Sequence, residues 1–282
     1  MEERKPCKVL RKLGGCRDDR AGGSEGWPMR VYAAVCGHLE LELGRMIAGE
    51  TGTIRIPVPS YVIEHPQGVV VFDSGLRAGL ADAADPEHAR QAMDKIKVEL
   101  PRGSDLASRL ASLGHDVTDV RYLINSHLHF DHCGGNHLIP NAPLVIQKRE
   151  WEAGHSPELC ERCGYARSDY DLGHDILAID GDHDVFGDGS VTCFLTHGHT
   201  PGHQSVKVKL PGGDVVLTAD ACYFRSVLEK LTLPRRVFDR EVMLASLMRL
   251  RGLQDAGATL HFGHDTEYWY GRSGTPIELS VA

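Results

Sequence analysis

Four side chains able to bind a metal fall within six residues in His127-Leu128-His129-Phe130-Asp131-His132, just after the apolar run Val120-Arg121-Tyr122-Leu123-Ile124. No other stretch constrains the fold as strongly, because it demands a buried strand that ends at a polar site. The run is β-branched and apolar enough to be that strand, and a strand end is a rigid support for ligands. His127 and His129 are two apart, so extended backbone would turn both rings to one side. Asp131 and His132 follow where the chain tightens and are placed to face a second cation. Imidazole nitrogen with carboxylate oxygen, and no thiolate, fits a catalytic zinc, iron, cobalt or manganese better than a closed structural site. Cys133 is adjacent, but this scheme does not need it.

The chain has 282 residues, of which 41% are hydrophobic, enough for one large domain or two small ones. Its 39 acidic and 31 basic residues give a formal charge of -8. That balance lacks the basic surplus needed to grip a phosphate backbone, so nucleic acid is not an expected partner. There is no apolar run of about eighteen residues and no hydrophobic leader after the N-terminal charges. The expectation is therefore no membrane association and a cytoplasmic location. Eight cysteines are too dilute for a disulfide scaffold. Cys160 and Cys163 form a CxxC pair, but no second pair follows it, and it reads as structural or incidental.

Residues 1–28 are polar and aperiodic and read as a tail; the domain is expected to span 29–282. Strands are expected at Arg30 to Val35, Ile54 to His65, Gly68 to Phe72, Val120 to Ile124, Pro143 to Ile146, Val191 to Leu195, Ser205 to Leu210, Val215 to Thr218 and Leu260 to Phe262. Helices are expected at Pro86 to Leu100, at Ser104 to Leu113 with Gly114 as stop, and at Asp239 to Ala256, whose buried face is Met243, Leu247 and Leu250. Residues 154–175 mix Gly, Pro, Cys, His and Tyr without a period and read as a lid or substrate loop. Asp73, at the exit of a central strand, is either a turn residue or an acceptor that orients a ligand histidine. Polar clusters recur at strand ends: Thr196 to Ser205, Asp220, and Gly263-His264-Asp265. That recurrence argues for a layered sheet core with helices outside and one shared site at one rim.

Taken together, HLHFDH at 127–132, GHTPGH at 198–203, TAD at 218–220 and FGHD at 262–265 resemble the metallo-β-lactamase superfamily. Within it the wording is similar to the N-acyl homoserine lactonases, which are quorum-quenching enzymes, and to the pyridoxolactone hydrolases. The resemblance implies an α/β fold, an αββα sandwich holding two divalent transition-metal ions, with zinc first and iron, cobalt or manganese as alternatives. It implies that His127, His129 and His199 bind one metal, that Asp131, His132 and His264 bind the other, and that Asp220 bridges them. His203 falls outside the ligand set, and His197 receives no role. His38, His65, His88, His155, His174 and His183 read as structural or solvated.

The implied reaction is attack of a hydroxide held between the cations on a lactone carbonyl, because bound metal makes water acidic near neutral pH. The Tyr223 phenol would stabilise the oxyanion and Asp131 would pass a proton to the leaving alkoxide, so both are expected to be catalytic. The expected partner is a small-molecule lactone, most specifically an N-acyl homoserine lactone, its acyl chain lying along Gly154 to Gly173 with Tyr165 and Tyr170. The alternatives are another lactonase such as a pyridoxolactone hydrolase, a glyoxalase II-like thioesterase, a nuclease of the same superfamily, or a non-catalytic metal-binding module.

Overall fold

The structure, a computed structural model, describes residues 29–77, 96–269 and 274–281. The first sheet holds β1 (Arg30–Glu42), β2 (Thr53–His65), β3 (Gly68–Phe72), β4 (Lys97–Glu99), β5 (Val120–Ile124), β6 (Leu144–Gln147) and β7 (Ile176–Ile179). The second holds β8 (His183–Asp184), β9 (Val191–Leu195), β10 (Gln204–Leu210), β11 (Gly213–Leu217) and β12 (Thr259–His261). A last strand, β13 (Ile277–Glu278), returns to the first sheet beside β1. The strand orders are β13-β1-β2-β3-β5-β6-β7, with β4 also paired to β1, and β12-β11-β10-β9-β8.

Alternation along β3 explains the layering. Val70 and Phe72 enter a core shared with Val206, Val208, Val215 and Leu217 of the second sheet. Val69 and Val71 enter a separate cluster with Leu106 and Leu110 of the helix Leu106–Ser112. Both faces of the strand are therefore buried, at about 1.5–3 kcal/mol for each large side chain. The second sheet repeats the arrangement. Its outer face, with Phe194 and Val216, packs on Leu247 and Leu250 of the helix Arg240–Asp255. The result is helix, sheet, sheet, helix.

A register shift between Val35 and His38 divides β1. Val31, Ala33 and Val35 lie between the sheets, whereas Leu39 and Leu41 join the cluster containing Tyr223 and Phe224. The break places the second half of β1 beside the rim that carries the polar clusters. At that rim the Gln204 backbone N–H donates to Ser126 O at 2.9 Å, joining the ends of β5 and β10 across the two sheets.

Several expectations change. The strand from Arg30 runs on to Glu42, and Lys97–Glu99 is a strand paired with β1 in place of the end of a helix. The earlier part of that expected helix, from Pro86, lies outside the described residues, as does the tail at 1–28. The stretch expected as a loop at 154–175 holds the end of the helix Lys148–His155 and all of two more, Pro157–Cys163 and Arg167–Tyr170. The helix around Ser104 to Leu113 forms as Leu106–Ser112, with the Asp105 carboxylate accepting from Ser108 N. Among the described residues no helix is long and apolar enough to cross a membrane.

Candidate metal centre

Five strand ends meet at the rim: Asp73 after β3, His127 to His132 after β5, His199 after β9, Asp220 after β11 and His264 after β12. The donor atoms of His127, His129, His199 and Asp220 lie within 4.8 Å of one another, and those of Asp131, His132 and His264 form a second such group. In the first group His129 Nδ1 is 2.7 Å from His127 Nε2 and 3.1 Å from His199 Nε2. Asp220 lies between the groups. Its Oδ2 is 3.3 Å from His199 Nε2 and 3.8 Å from His127 Nε2, while its Oδ1 is 3.2 Å from His132 Nε2 and 3.1 Å from His264 Nε2. One carboxylate thus offers one oxygen to each set.

The outward nitrogens show which ring atoms are bare. A carbonyl oxygen only accepts, so His129 donates from Nε2 to Cys163 O at 2.9 Å, and His264 donates from Nδ1 to Pro57 O at 2.7 Å. The Asp73 carboxylate accepts from His132 Nδ1 at 2.8 Å and from the Ser126 hydroxyl at 2.7 Å. Ser126, having spent its proton on Asp73, accepts from His127 Nδ1 at 2.9 Å. The rings of His127 and His129 then turn an unprotonated nitrogen toward each other, and those of His132 and His264 turn their Nε2 toward Asp220. Lone pairs 2.7 Å apart repel unless a cation lies among them, and His132 Nε2 and Asp220 Oδ1 are buried with no hydrogen-bond partner. The residues fit a pair of metal ions.

Electrostatics agree. Burial, with the neighbouring rings, holds His127 and His199 well below the usual histidine range, which keeps their lone pairs free. Burial also opposes charge on His132, but Asp220, Asp131 and Asp73 outweigh it and hold that ring well above the usual range. Burial likewise disfavours the Asp220 anion, yet His132 and His264 pull its carboxyl well below the ordinary value. The second group therefore attracts positive charge, whether carried by a proton or by a metal.

Asp73 and Ala219 both occupy the left-handed backbone region, with φ of 58° and 45°. For residues with a Cβ this is strain, and it falls where β3 and β11 turn toward the site. His203 secures the second turn. Burial lowers its pKa to about 3, so it stays neutral, and its Nε2 accepts from Asp220 N–H at 3.1 Å. The Tyr223 hydroxyl is 3.2 Å from His199 Nδ1. Burial, reinforced by Asp220 and Asp131, holds the phenol well above its usual pKa, so it keeps its proton.

A cavity of about 570 Å³ opens over Asp131, Asp220, Tyr223 and His264. One wall is apolar, from Leu39, Leu41, Met46 and Ile56. The mouth carries Arg45, Arg162, Arg235 and Arg236. Tyr165 and Tyr170, expected to form the apolar wall, are instead buried in the core beneath, donating to Glu150 Oε1 and Gly154 O. Cys163 contributes its carbonyl to His129, and Cys133 and Cys222 are buried thiols outside both donor groups. Sequence reasoning missed Glu150, the Ser126 relay and the arginine mouth. Of these only Ser126, adjoining a ligand motif, carried any local signal.

The sequence pattern of the metallo-beta-lactamase superfamily matches residues 54–264. The N-acyl homoserine lactonase AttM of Azorhizobium caulinodans is 34% identical over 251 residues, covering 86% of this chain and 95% of that protein. The lactonase AiiA of Bacillus thuringiensis subsp. kurstaki is 31% identical over 217 residues, 76% of this chain and 83% of its own. A solved N-acyl homoserine lactone hydrolase, with the product N-hexanoyl-L-homoserine at its catalytic metal centre, superposes with a TM-score of 0.76 at 28% identity, covering 86% and 95% of the two chains.

Proposed function

The chain belongs to the metallo-beta-lactamase superfamily, and from that premise we propose that it is a dinuclear metal-dependent lactonase that hydrolyses N-acyl homoserine lactones, a quorum-quenching activity. The observation that carries this reading is the Asp220 carboxylate, with one oxygen facing each of two separate histidine sets. His127, His129 and His199 would hold one cation, Asp131, His132 and His264 the other, with Asp220 shared. Zinc is the metal we assign first, with iron, cobalt or manganese as alternatives that the same imidazole and carboxylate donors would accept. Two cations held there would supply Lewis-acid chemistry, polarising the ester carbonyl and making water nucleophilic near neutral pH.

The protein's own groups do the rest. His199 Nε2 must be bare to bind, so its Nδ1 carries the proton and donates to the Tyr223 oxygen. The Tyr223 hydroxyl proton is thereby left for the carbonyl oxygen as negative charge develops on it. Asp131, which lines the cavity, would take the proton that the attacking water gives up and pass it to the ring oxygen as the ring opens. Leu39, Leu41, Met46 and Ile56 receive the acyl chain and exclude water from it.

Incubation of the zinc-loaded protein with N-hexanoyl homoserine lactone should release one proton per molecule and yield the ring-opened acid, which recloses on acidification. Absence of ring opening across acyl chain lengths, with efficient hydrolysis of pyridoxolactone or a glutathione thioester, would move the substrate assignment to that compound. Elemental analysis should give about two metal ions per chain.

A further inference from the structure

Glu150 lies in the first turn of the helix Lys148–His155 and is completely buried, with no cationic partner among the described residues. Four donors surround its carboxylate. Oε1 accepts from Leu128 N at 3.2 Å and from the Tyr165 hydroxyl at 2.6 Å. Oε2 accepts from Gly202 N at 2.7 Å and from Thr200 Oγ1 at 3.0 Å. Leu128 separates His127 from His129, and Thr200 follows His199. A single carboxylate therefore ties together the two chain segments that bring the nitrogen donors of one group. The close approach is built in, since a Cβ on Gly202 would come 2.5 Å from Glu150 N.

The other group is braced differently. His264 is held by Pro57 O and His132 by Asp73, and none of the four donors to Glu150 comes from residues 131–132 or 264. Burial pushes the Glu150 carboxyl upward while the four hydrogen bonds oppose that shift. A buried carboxylate facing only neutral donors is a costly way to join two loops, and an apolar contact would cost less. What it adds is position: two oxygens, each fixing a different loop to one rigid helix turn.

Building on the metal centre assigned above, we propose that Glu150 is the positioning residue for the His127, His129 and His199 set. It governs the affinity of the cation held there and leaves the cation at Asp131, His132 and His264 largely unaffected. An amide in its place presents one acceptor and turns an N–H₂ toward a backbone N–H, so the two loops can no longer both be satisfied.

The test is stepwise zinc binding to metal-free protein, read by competition with a chromophoric chelator, for wild type and Glu150→Gln. The expected result is one dissociation constant weakened about 10- to 100-fold and the other changed by less than about threefold. Equal weakening of both sites, or of neither, overturns the proposal. Wild-type protein that binds no zinc overturns the metal centre itself, and this proposal with it. If Glu150→Gln does not fold, Thr200→Val removes one donor and keeps the carboxylate. It should weaken the same single site severalfold, and an unchanged pair of constants overturns the idea.

Discussion

Tyr223 shows how one neighbour fixes the chemistry of a side chain. With its oxygen accepting from His199 Nδ1, the hydroxyl has a proton to give and no protein acceptor for it among the described residues. Tyr223→Phe should therefore lower kcat tenfold or more, about 1.4 kcal/mol of barrier, with two metals still bound. Equal turnover would reduce Tyr223 to a spacer beside His199. At this scale the proposed ligands were legible because HxHxDH, GHTPGH and FGHD are local patterns that keep their meaning wherever the chain runs. Asp73 was legible as a choice between a turn and an acceptor, and the structure gives both, since it turns with positive φ and accepts from His132. Glu150 was not legible. Its meaning depends on Leu128 and Gly202, 22 and 52 residues away, and a Glu early in a helix otherwise reads as an ordinary first-turn acid.

Among the elements, the turn after β12 leaves no room for an added side-chain atom. A Cβ at Gly263 would lie 2.5 Å from Ala219 O and 3.3 Å from Asp220 Oδ1. The obstacle is backbone already held at positive φ, so it cannot swing aside. Gly263→Ala should cost about 1–3 kcal/mol of stability and reduce the metal content, both measured on one preparation by a denaturant melt and elemental analysis. An unaltered melt would mean that the turn relaxes freely. Long strands and the helix Arg240–Asp255 were readable because their periods repeat several times. The helices between Lys148 and Tyr170 are only four to eight residues long, so no period accumulates, and their Gly, Cys and Tyr mimic a loop. Lys97–Glu99 is a strand of three residues whose conformation comes from its partner β1 rather than from its own sequence.

For the molecule as a whole, we propose that residues 29–282 form the hydrolase unit, since the superfamily pattern lies wholly within them and residues 1–28 have no apolar period. A chain beginning at Met29 should keep its melting temperature and turnover, and a large fall in either would show that the first segment belongs to the unit. The cavity mouth has a further consequence. It carries four guanidinium groups against Glu42 and Glu161, although the chain as a whole is acidic at -8. Arg235 is paired with Glu42, and Arg162 donates to Phe238 O and covers that ring. Arg45 and Arg236 have no such partner among the described residues. Opening a lactone turns a neutral molecule into a carboxylate, so the mouth holds what the centre makes more firmly than what it takes in. Product inhibition at low ionic strength should result. Raising salt from about 10 mM to about 300 mM should increase kcat severalfold, because the screening length then falls from about 30 Å to below about 10 Å. Arg45→Met should flatten that response. A turnover indifferent to salt in the wild type would mean that the acid departs by a route the arginines do not guard.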